Sequence, residues 1–381
     1  MTAPASAFAP ALRLLADGVG RAYPGAVLAV LYRGEVVLRH AEGLAARRPA
    51  PRPATTATIY DLASLTKVVA ATPLILQAVM QHRLGLDDPA AWHLPEFPHR
   101  DVTLRHLLAH TSGLPAWIPF YLEAEGYDAI IARAAATPLE APPGTRVVYS
   151  DVGFILLGEI ARRTLGRPID EAAGDGVFAP LAMRDTRYRP PAALRARVAP
   201  TEDGTGIEQQ MTASERERPA AEAARHHHHR WRTTLVWGEV HDGNAHAMGG
   251  VSGHAGLFGT AGDLIEYARM WLARGRGPGS RVLSPELVRE ATAPQTSGDA
   301  ARGLGWALTG TQGWWGGALS ARAYGHTGFT GTALVIDPEH ELAIVLLANA
   351  IHLGRDRTEI LALRPRIAEA VARALLPRPP A

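Results

Sequence analysis

Two apolar strand pairs lie near opposite ends of this chain, and they constrain its fold more than anything between them. Residues 26 to 42, AVLAVLYRGEVVLRHAE, form two apolar runs around Arg33-Gly34. Such runs broken by a short Gly-containing turn predict a β-hairpin. Residues 332 to 349, TALVIDPEHELAIVLLAN, repeat the form around Asp337-Pro338-Glu339-His340. A last segment, about 358 to 375, has helical periodicity and stops at Pro377. Hairpins at both ends with a terminal helix predict one antiparallel sheet built from the two ends of the chain, with helices on its faces.

The middle reads differently. From Ser64 to about 235 the periodicity is helical, over 64–82, 103–110, 126–136, 152–165 and 170–175. The expected fold class is therefore α+β, an antiparallel sheet flanked by helices with an inserted helical lobe. Residues 1–63 and 236–381 would make the sheet lobe, residues 64–235 the helical lobe, and the functional site would lie in the cleft between them. The polar stretch 201–231 reads as a mobile loop. It carries His226–His229, and four consecutive imidazoles cannot share one face of a helix or strand. A solvated loop is the better reading of that run than a metal site. No internal repeat is visible.

Composition removes several function classes. A 381-residue chain with 47% hydrophobic and 20% charged residues is globular and long enough for a large core. A formal net charge of +2 makes no electrostatic case for nucleic acid or a membrane surface as main partner. Zero cysteines exclude disulfides, thiolate nucleophiles and Cys-ligated zinc. No apolar run approaches the roughly 20 residues of a membrane span. The start, MTAPASAFAPALRLLADGVG, lacks a basic n-region, and Pro10, Arg13 and Asp17 interrupt any apolar core. It reads as an amphipathic helix rather than a signal peptide, so a cytoplasmic location is expected, or a periplasmic or secreted one if the true start lies upstream. There is no G-x-S-x-G elbow, no H-E-x-x-H, and no glycine before the lysine that a P-loop would need.

That lysine is the chemical signal. The chain has thirty-eight arginines and a single lysine, Lys67, three residues after Ser64. Arg stays charged at any relevant pH, whereas a desolvated Lys can lose its proton and act as a base. With ten serines in the chain, a randomly placed lysine would fall three after one about 3% of the time. At i and i+3 the two share a helix face. The flank VVAATPLIL is apolar nearly all round, which predicts a buried helix that Pro73 kinks or shifts. A serine in a first helical turn has free backbone N–H groups nearby, able to hold an oxyanion. A lysine desolvated at the positive end of the dipole has its pKa lowered. The pair reads as a nucleophile with its base, or, more blandly, as a helix-start Ser beside a solvated Lys.

Two further segments join it. In VVYSDVGFILLGEIARRTLG, residues 147 to 166, Tyr149 precedes a helix that Ser150 or Asp151 would cap. Held beside a lysine, this phenol could relay a proton if its pKa fell well below 10. In YGHTGFTG, residues 324 to 331, glycines beside the apolar hairpin mark backbone that something must approach closely. His326 would point a donor into the cleft, and the Phe329 N–H could be an oxyanion donor.

Ser64-Leu65-Thr66-Lys67, Tyr149-Ser150-Asp151 and His326-Thr327-Gly328, in this order and at these separations, resemble the serine β-lactamase and penicillin-binding protein superfamily. The closest look is to the class C β-lactamase-like branch, with its D-alanyl-D-alanine peptidases, D-aminopeptidases and esterases. VTLRHLLAHTSGLP at 102–115 and GHAGLFGTAGDLIEYARMWL at 253–272 look like further signatures of that branch. The resemblance runs from about 20 to 375. It implies that Ser64 forms an acyl-enzyme and Lys67 takes the Ser proton. Tyr149 would protonate the leaving group and activate water. The N–H groups of Ser64 and Phe329 would form the oxyanion hole, and Asp151, His326, Thr327 and Gly328 would bind substrate. No cofactor or metal is implied.

Two departures bear on substrate. The second motif usually ends in Asn, whose amide donates to a substrate carbonyl, and the Asp151 carboxylate cannot. A charged Asp151 near Lys67 would also favour the ammonium and oppose the base role. Either Asp151 points away as a cap, or the site is tuned for something other than an acylamino β-lactam. His326 replaces the commoner Lys of the third motif and would make carboxylate recognition depend on a group titrating near neutrality. The expected activity is hydrolysis of a small ester, amide or D-amino-acid-containing substrate. A true β-lactamase is the alternative, and a non-catalytic binding protein is the reading from another class. His106 and His110, at i and i+4, look more like a family turn than a metal pair. His241, Asp242, Asn244 and His246 either line the cleft or stiffen a loop. Trp314 and Trp315 are equally a substrate wall or a packing patch.

Overall fold

The computed structural model describes residues 5–202, 232–298, 301–309, 315–354 and 357–376. The His226–His229 run, most of the expected loop 201–231, and Trp314 lie outside the described residues. In chain order the described strands are β1 (Gly25–Tyr32), β2 (Glu35–Ala46), β3 (Arg52–Pro53), β4 (Tyr60–Asp61), β5 (Arg187–Tyr188), β6 (Leu257–Gly259), β7 (Ala307–Leu308), β8 (Tyr324–Thr327), β9 (Ala333–Asp337) and β10 (Leu342–Ala348).

The two terminal hairpins join. β1 pairs antiparallel with β10, Ala26 opposite Ala348 and Tyr32 opposite Leu342. They form the centre of a seven-stranded sheet of order β3-β2-β1-β10-β9-β8-β7, antiparallel throughout. The β1–β2 turn explains its two residues: Arg33 and Gly34 both have positive φ, 49° and 80°, as a two-residue hairpin loop with the sheet's own twist requires. β1 is apolar along its whole length because both faces are covered. Ala26, Leu28 and Val30 pack with the helix Ala9–Asp17 and the terminal helix Thr358–Leu375. Val27, Ala29 and Leu31 face the other core, which includes the helix Ala261–Leu272. The terminal helix has the bounds its periodicity predicts, and the N-terminal segment is helical and packed as expected.

The expected central helices are also present, as Thr72–Met80, Leu104–Leu108, Tyr127–Ala135, Asp151–Leu165 and Ile169–Ala173. Their apolar faces merge with the sheet into one core, from Leu347 and Val345 through Val68 and Ile75 to Leu156 and Ile160. A small sheet of order β4-β6-β5 ties residues 60–61 to 257–259. Nothing in the local pattern announces these two- and three-residue strands. The expected loop 201–231 is corrected at its first residues. Thr201 and Glu202 are buried, and backbone bonds Thr201 N–H to Val236 O and Val236 N–H to Glu202 O pin them. Among the described residues no helix is long and apolar enough to cross a membrane.

Candidate active site

The site is assembled from a tight turn at the end of β4. The Asp61 carboxylate accepts from the Ala63 N–H at 2.9 Å and from the His241 N–H at 2.8 Å. Ala63 takes φ +48°, a conformation that an L-residue adopts only when its surroundings enforce it. Ser64 follows in this turn, one step before the helix rather than inside its first turn as expected. From Lys67 to Ala71 the helix is a wide π turn, closed by the Thr72 N–H on the Lys67 carbonyl. Pro73 gives the reason. It has no N–H for the Val69 carbonyl, and its ring would strike that carbonyl in a regular α-helix.

Lys67 is wholly buried. Its Nζ lies 2.9 Å from Ser64 Oγ, 2.7 Å from Asp151 Oδ1 and 3.2 Å from the His254 carbonyl. It also sits 4.9 Å from the centre of the Tyr149 ring and hydrogen-bonds that side chain. Burial pulls the ammonium pKa down, but Asp151 and Tyr149 outweigh it, and the pKa is raised. The expectation of a lowered lysine pKa is thus reversed, and the cause is Asp151. Ser150 is the helix cap, its Oγ accepting from the Gly153 N–H at 3.1 Å. Asp151 is freed from capping and turns its carboxylate to Lys67. Tyr149 hydrogen-bonds both Ser64 and Lys67, and its pKa is raised, by burial above all. The condition set for a relay through a low-pKa phenol is not met: Tyr149 is a protonated hydroxyl at neutral pH.

On the other side, Gly328 lets two chain segments meet. A Cβ there would lie 2.6 Å from the Leu62 carbonyl and closer still to Thr332 Oγ1. What approaches this glycine is the chain itself, and Phe329, the next residue, lines the same cleft as Ser64. The backbone N–H groups of Ser64 and Phe329 make no hydrogen bond within the described residues. His326 is buried, and its Nδ1–H donates to the Thr327 carbonyl at 2.8 Å, leaving Nε2 as a bare acceptor. Burial, followed by the charges of Lys67 and Arg302, pushes its pKa well below the usual imidazole range. It is neutral at physiological pH, which corrects the expected near-neutral titration.

These groups face one cleft of about 440 Å³, lined also by Trp117, Asp242, His254, Arg302 and Arg357. Sequence reasoning missed four of these five. Asp242 caps the helix Gly243–Ala247 and accepts from His254 Nε2 at 2.8 Å, while His254 Nδ1 lies 2.8 Å from Ser252 Oγ. Burial opposes the Asp242 charge, but His254 and the Ala245 N–H hold its carboxyl far below the usual range. Arg302 is buried over the Tyr149 ring, and Arg357 stacks on Phe329. Asp151, Asp242 and His254 bring three possible ligand atoms within 4.8 Å of one another. The Lys67 ammonium already occupies Asp151, so a metal would have to compete with a fixed cation. The lone lysine and HxG signals pointed to the cleft; Arg302 had no local signal at all.

The open alternatives resolve. His241 and Asp242 line the cleft, and the His241 ring stacks on Phe329. Asn244 stiffens a loop, accepting from the Tyr121 N–H and donating to the Ile118 carbonyl. His246 lies toward Glu239, away from the cleft lining. His106 closes a capping box with Thr103, and His110 Nδ1 accepts from the Ser150 N–H, so the two do not form a metal pair. Trp315 packs against Gly325 inside the sheet layer, a packing role.

Fold and cleft together define a β-lactamase/transpeptidase-like serine hydrolase. The sequence profile named Beta-lactamase matches residues 12–368. A protein of Escherichia coli O157:H7, provisionally named a D-alanyl-D-alanine carboxypeptidase, is 34% identical over 367 residues, covering 89% of this chain and 81% of that protein. A Bacillus subtilis (strain 168) protein named N-acetylmuramyl-L-alanine amidase is 32% identical over 368 residues, with 89% and 80% covered. The crystal structure of a penicillin-binding protein homolog from Caulobacter crescentus superposes with a TM-score of 0.74 at 24% identity, covering 98% of this chain and 99% of that one. The chain belongs to the Beta-lactamase family and is a serine hydrolase. The resemblance, the fold class and the enzyme class expected from the sequence are borne out.

Proposed function

We propose that this protein hydrolyses amides or esters of small, D-amino-acid-containing or related acyl substrates through an acyl-enzyme on Ser64. The observation that carries this is the Ser64 hydroxyl, 2.9 Å from the only lysine of the chain, at the edge of a 440 Å³ cleft. Ser64 Oγ attacks the carbonyl carbon as its proton passes to Lys67. The carbonyl oxygen takes the electron pair and is held by the N–H groups of Ser64 and Phe329, which have no competing partner among the described residues. Tyr149, in contact with both Ser64 and Lys67, passes a proton to the leaving group, and water then releases the acyl chain. Asp151, His326, Thr327 and Gly328 contact the substrate. The cleft lies between a sheet lobe, 1–63 with 236–381, and a helical lobe, 64–235.

Two features favour a peptidase, amidase or esterase over β-lactam turnover. Asp151 offers a carboxylate where an amide would donate. The two curated relatives carry names of enzymes that cleave amide bonds.

The test is intact-mass spectrometry after incubation with a penicillin and, separately, a fluorophosphonate, on wild type and Ser64→Ala. An adduct on wild type alone is the expected result. A long-lived penicillin adduct would mark penicillin-binding behaviour, and rapid loss of it would mark a β-lactamase. Absence of any adduct on wild type overturns the proposal.

A further inference from the structure

Resting on that reading, we infer that Asp151 is the proton store of this site: it takes a proton from Lys67 as substrate docks, leaving a neutral amine able to accept the Ser64 proton. The ground state contains a contradiction that needs such a step. Lys67 donates to Ser64 Oγ, to Asp151 and to the His254 carbonyl at once. An ammonium has three N–H bonds and no lone pair, so in this state it cannot accept anything.

Other acceptors fail on geometry or charge. The Tyr149 hydroxyl touches Lys67 but is protonated at neutral pH. The His254 ring is engaged by Asp242 and Ser252, and only its backbone carbonyl meets Lys67. His110 Nδ1 is occupied by the Ser150 N–H, and burial, followed by the charges of Arg302 and Lys67, keeps its pKa well below the usual imidazole range. His326 is reached by the same two charges. Among the described residues Asp151 is the anionic group that Lys67 contacts directly, at 2.7 Å.

The step balances. A Lys67 Nζ–H bond breaks and an Asp151 Oδ–H bond forms, turning the ion pair into a neutral amine and a carboxylic acid. The Ser64 proton then moves to Lys67 as the Oγ–C bond forms. On collapse that proton leaves with the departing group, and Asp151 finally returns its own to Lys67. Two local features work in opposite senses on this transfer. The start of the helix Asp151–Leu165 favours the carboxylate. The Asp242 carboxylate, in a group whose polar atoms lie within 4.8 Å, disfavours a second negative charge. Substrate that displaces water from the cleft weakens the solvation of an ion pair and narrows the gap to the neutral pair. Once protonated, Asp151 also presents an O–H donor to the cleft, which its charged form lacks.

The resting and reactive pairs carry the same number of protons, so the transfer itself does not depend on pH. This separates it from a lysine that must discharge its proton to solvent. The experiment measures the second-order rate constant for fluorophosphonate labelling of Ser64 from pH 4.5 to 10 by intact mass. Wild type, Asp151→Asn and Asp151→Ser are compared. Wild type is expected to label at a constant rate from neutral pH into the acid range. Without an acceptor at 151, the acid limb moves upward by at least one unit, so the variants label about tenfold or more slower near pH 6. If Lys67 discharges to solvent instead, removing Asp151 lowers its proton affinity and the limb moves down; a downward or absent movement overturns the inference. The two variants differ in bulk and polarity, so one folded variant suffices, checked by its melting curve. No labelling of wild-type Ser64 at any pH would instead sink the proposed function, which keeps the two failures apart.

Discussion

Gly328→Ala should slow acylation by one to two orders of magnitude while leaving the nucleophile untouched. The new Cβ would sit 2.6 Å from the Leu62 carbonyl, where ordinary contact begins at 3.4 Å. The Thr332 hydroxyl, itself donating to that carbonyl at 3.0 Å, stands closer still. Leu62 is backbone two residues before Ser64 and is fixed by its own N–H on the Leu257 carbonyl at 2.8 Å, so it cannot yield. The strand end must retreat by about 0.8 Å, and Phe329 moves with it. Removing one oxyanion donor outright costs roughly 100- to 1000-fold, about 2.7–4 kcal/mol. A partial displacement is expected to cost roughly 10- to 100-fold. Overpacking should also cost about 1–3 kcal/mol of stability. The assay is the fluorophosphonate labelling rate of Ser64, paired with a melting curve and a penicillin adduct measurement. A labelling rate within threefold of wild type, together with a lowered melting temperature, would show that the strand end can shift without loss of acylation, and would refute the assignment of the Phe329 N–H.

Lys67→Arg keeps the charge but cannot surrender a proton, so turnover and labelling should fall below about a tenth of wild type; retention above that level, measured with a p-nitrophenyl ester, would exclude the base role. Glu159 is buried and accepts from Tyr127, Arg162 and Arg163 at 2.5–2.9 Å. Burial disfavours its charge, yet the two arginines prevail and its pKa is lowered. Its stabilising effect is therefore present above the ordinary Glu value, about pH 4.3, and is lost as pH falls through the folded-state value. Glu159→Gln should be less stable than wild type at pH 7 by differential scanning calorimetry, with the gap closing in acid; a gap independent of pH would contradict this.

Several features were legible before any fold was known. The end hairpins, the terminal helix and the central helices follow from period-2 and period-3.6 patterning, which is local in sequence. The Arg33-Gly34 turn follows from backbone sterics alone. The Ser64–Lys67 spacing, the single lysine, and the Tyr149 and His326 segments marked the residues that gather in the cleft.

What only the tertiary structure decided is how far apart groups stand across long sequence separations. The pairing of Ala26 with Ala348 depends on packing that no local pattern encodes. So does the two-residue β4, whose partner lies near residue 259. Arg302 reaches the cleft from a segment with no motif of its own. The directions of the pKa shifts depend on these placements. The positive end of a helix and burial alone predict a lowered Lys67 pKa, and a carboxylate at 2.7 Å reverses it. That carboxylate is available only because Ser150, one residue earlier, takes the cap. Coulomb and desolvation energies vary with distance and burial rather than with sequence separation, so the residue types were written in the sequence and their protonation states were settled by the fold.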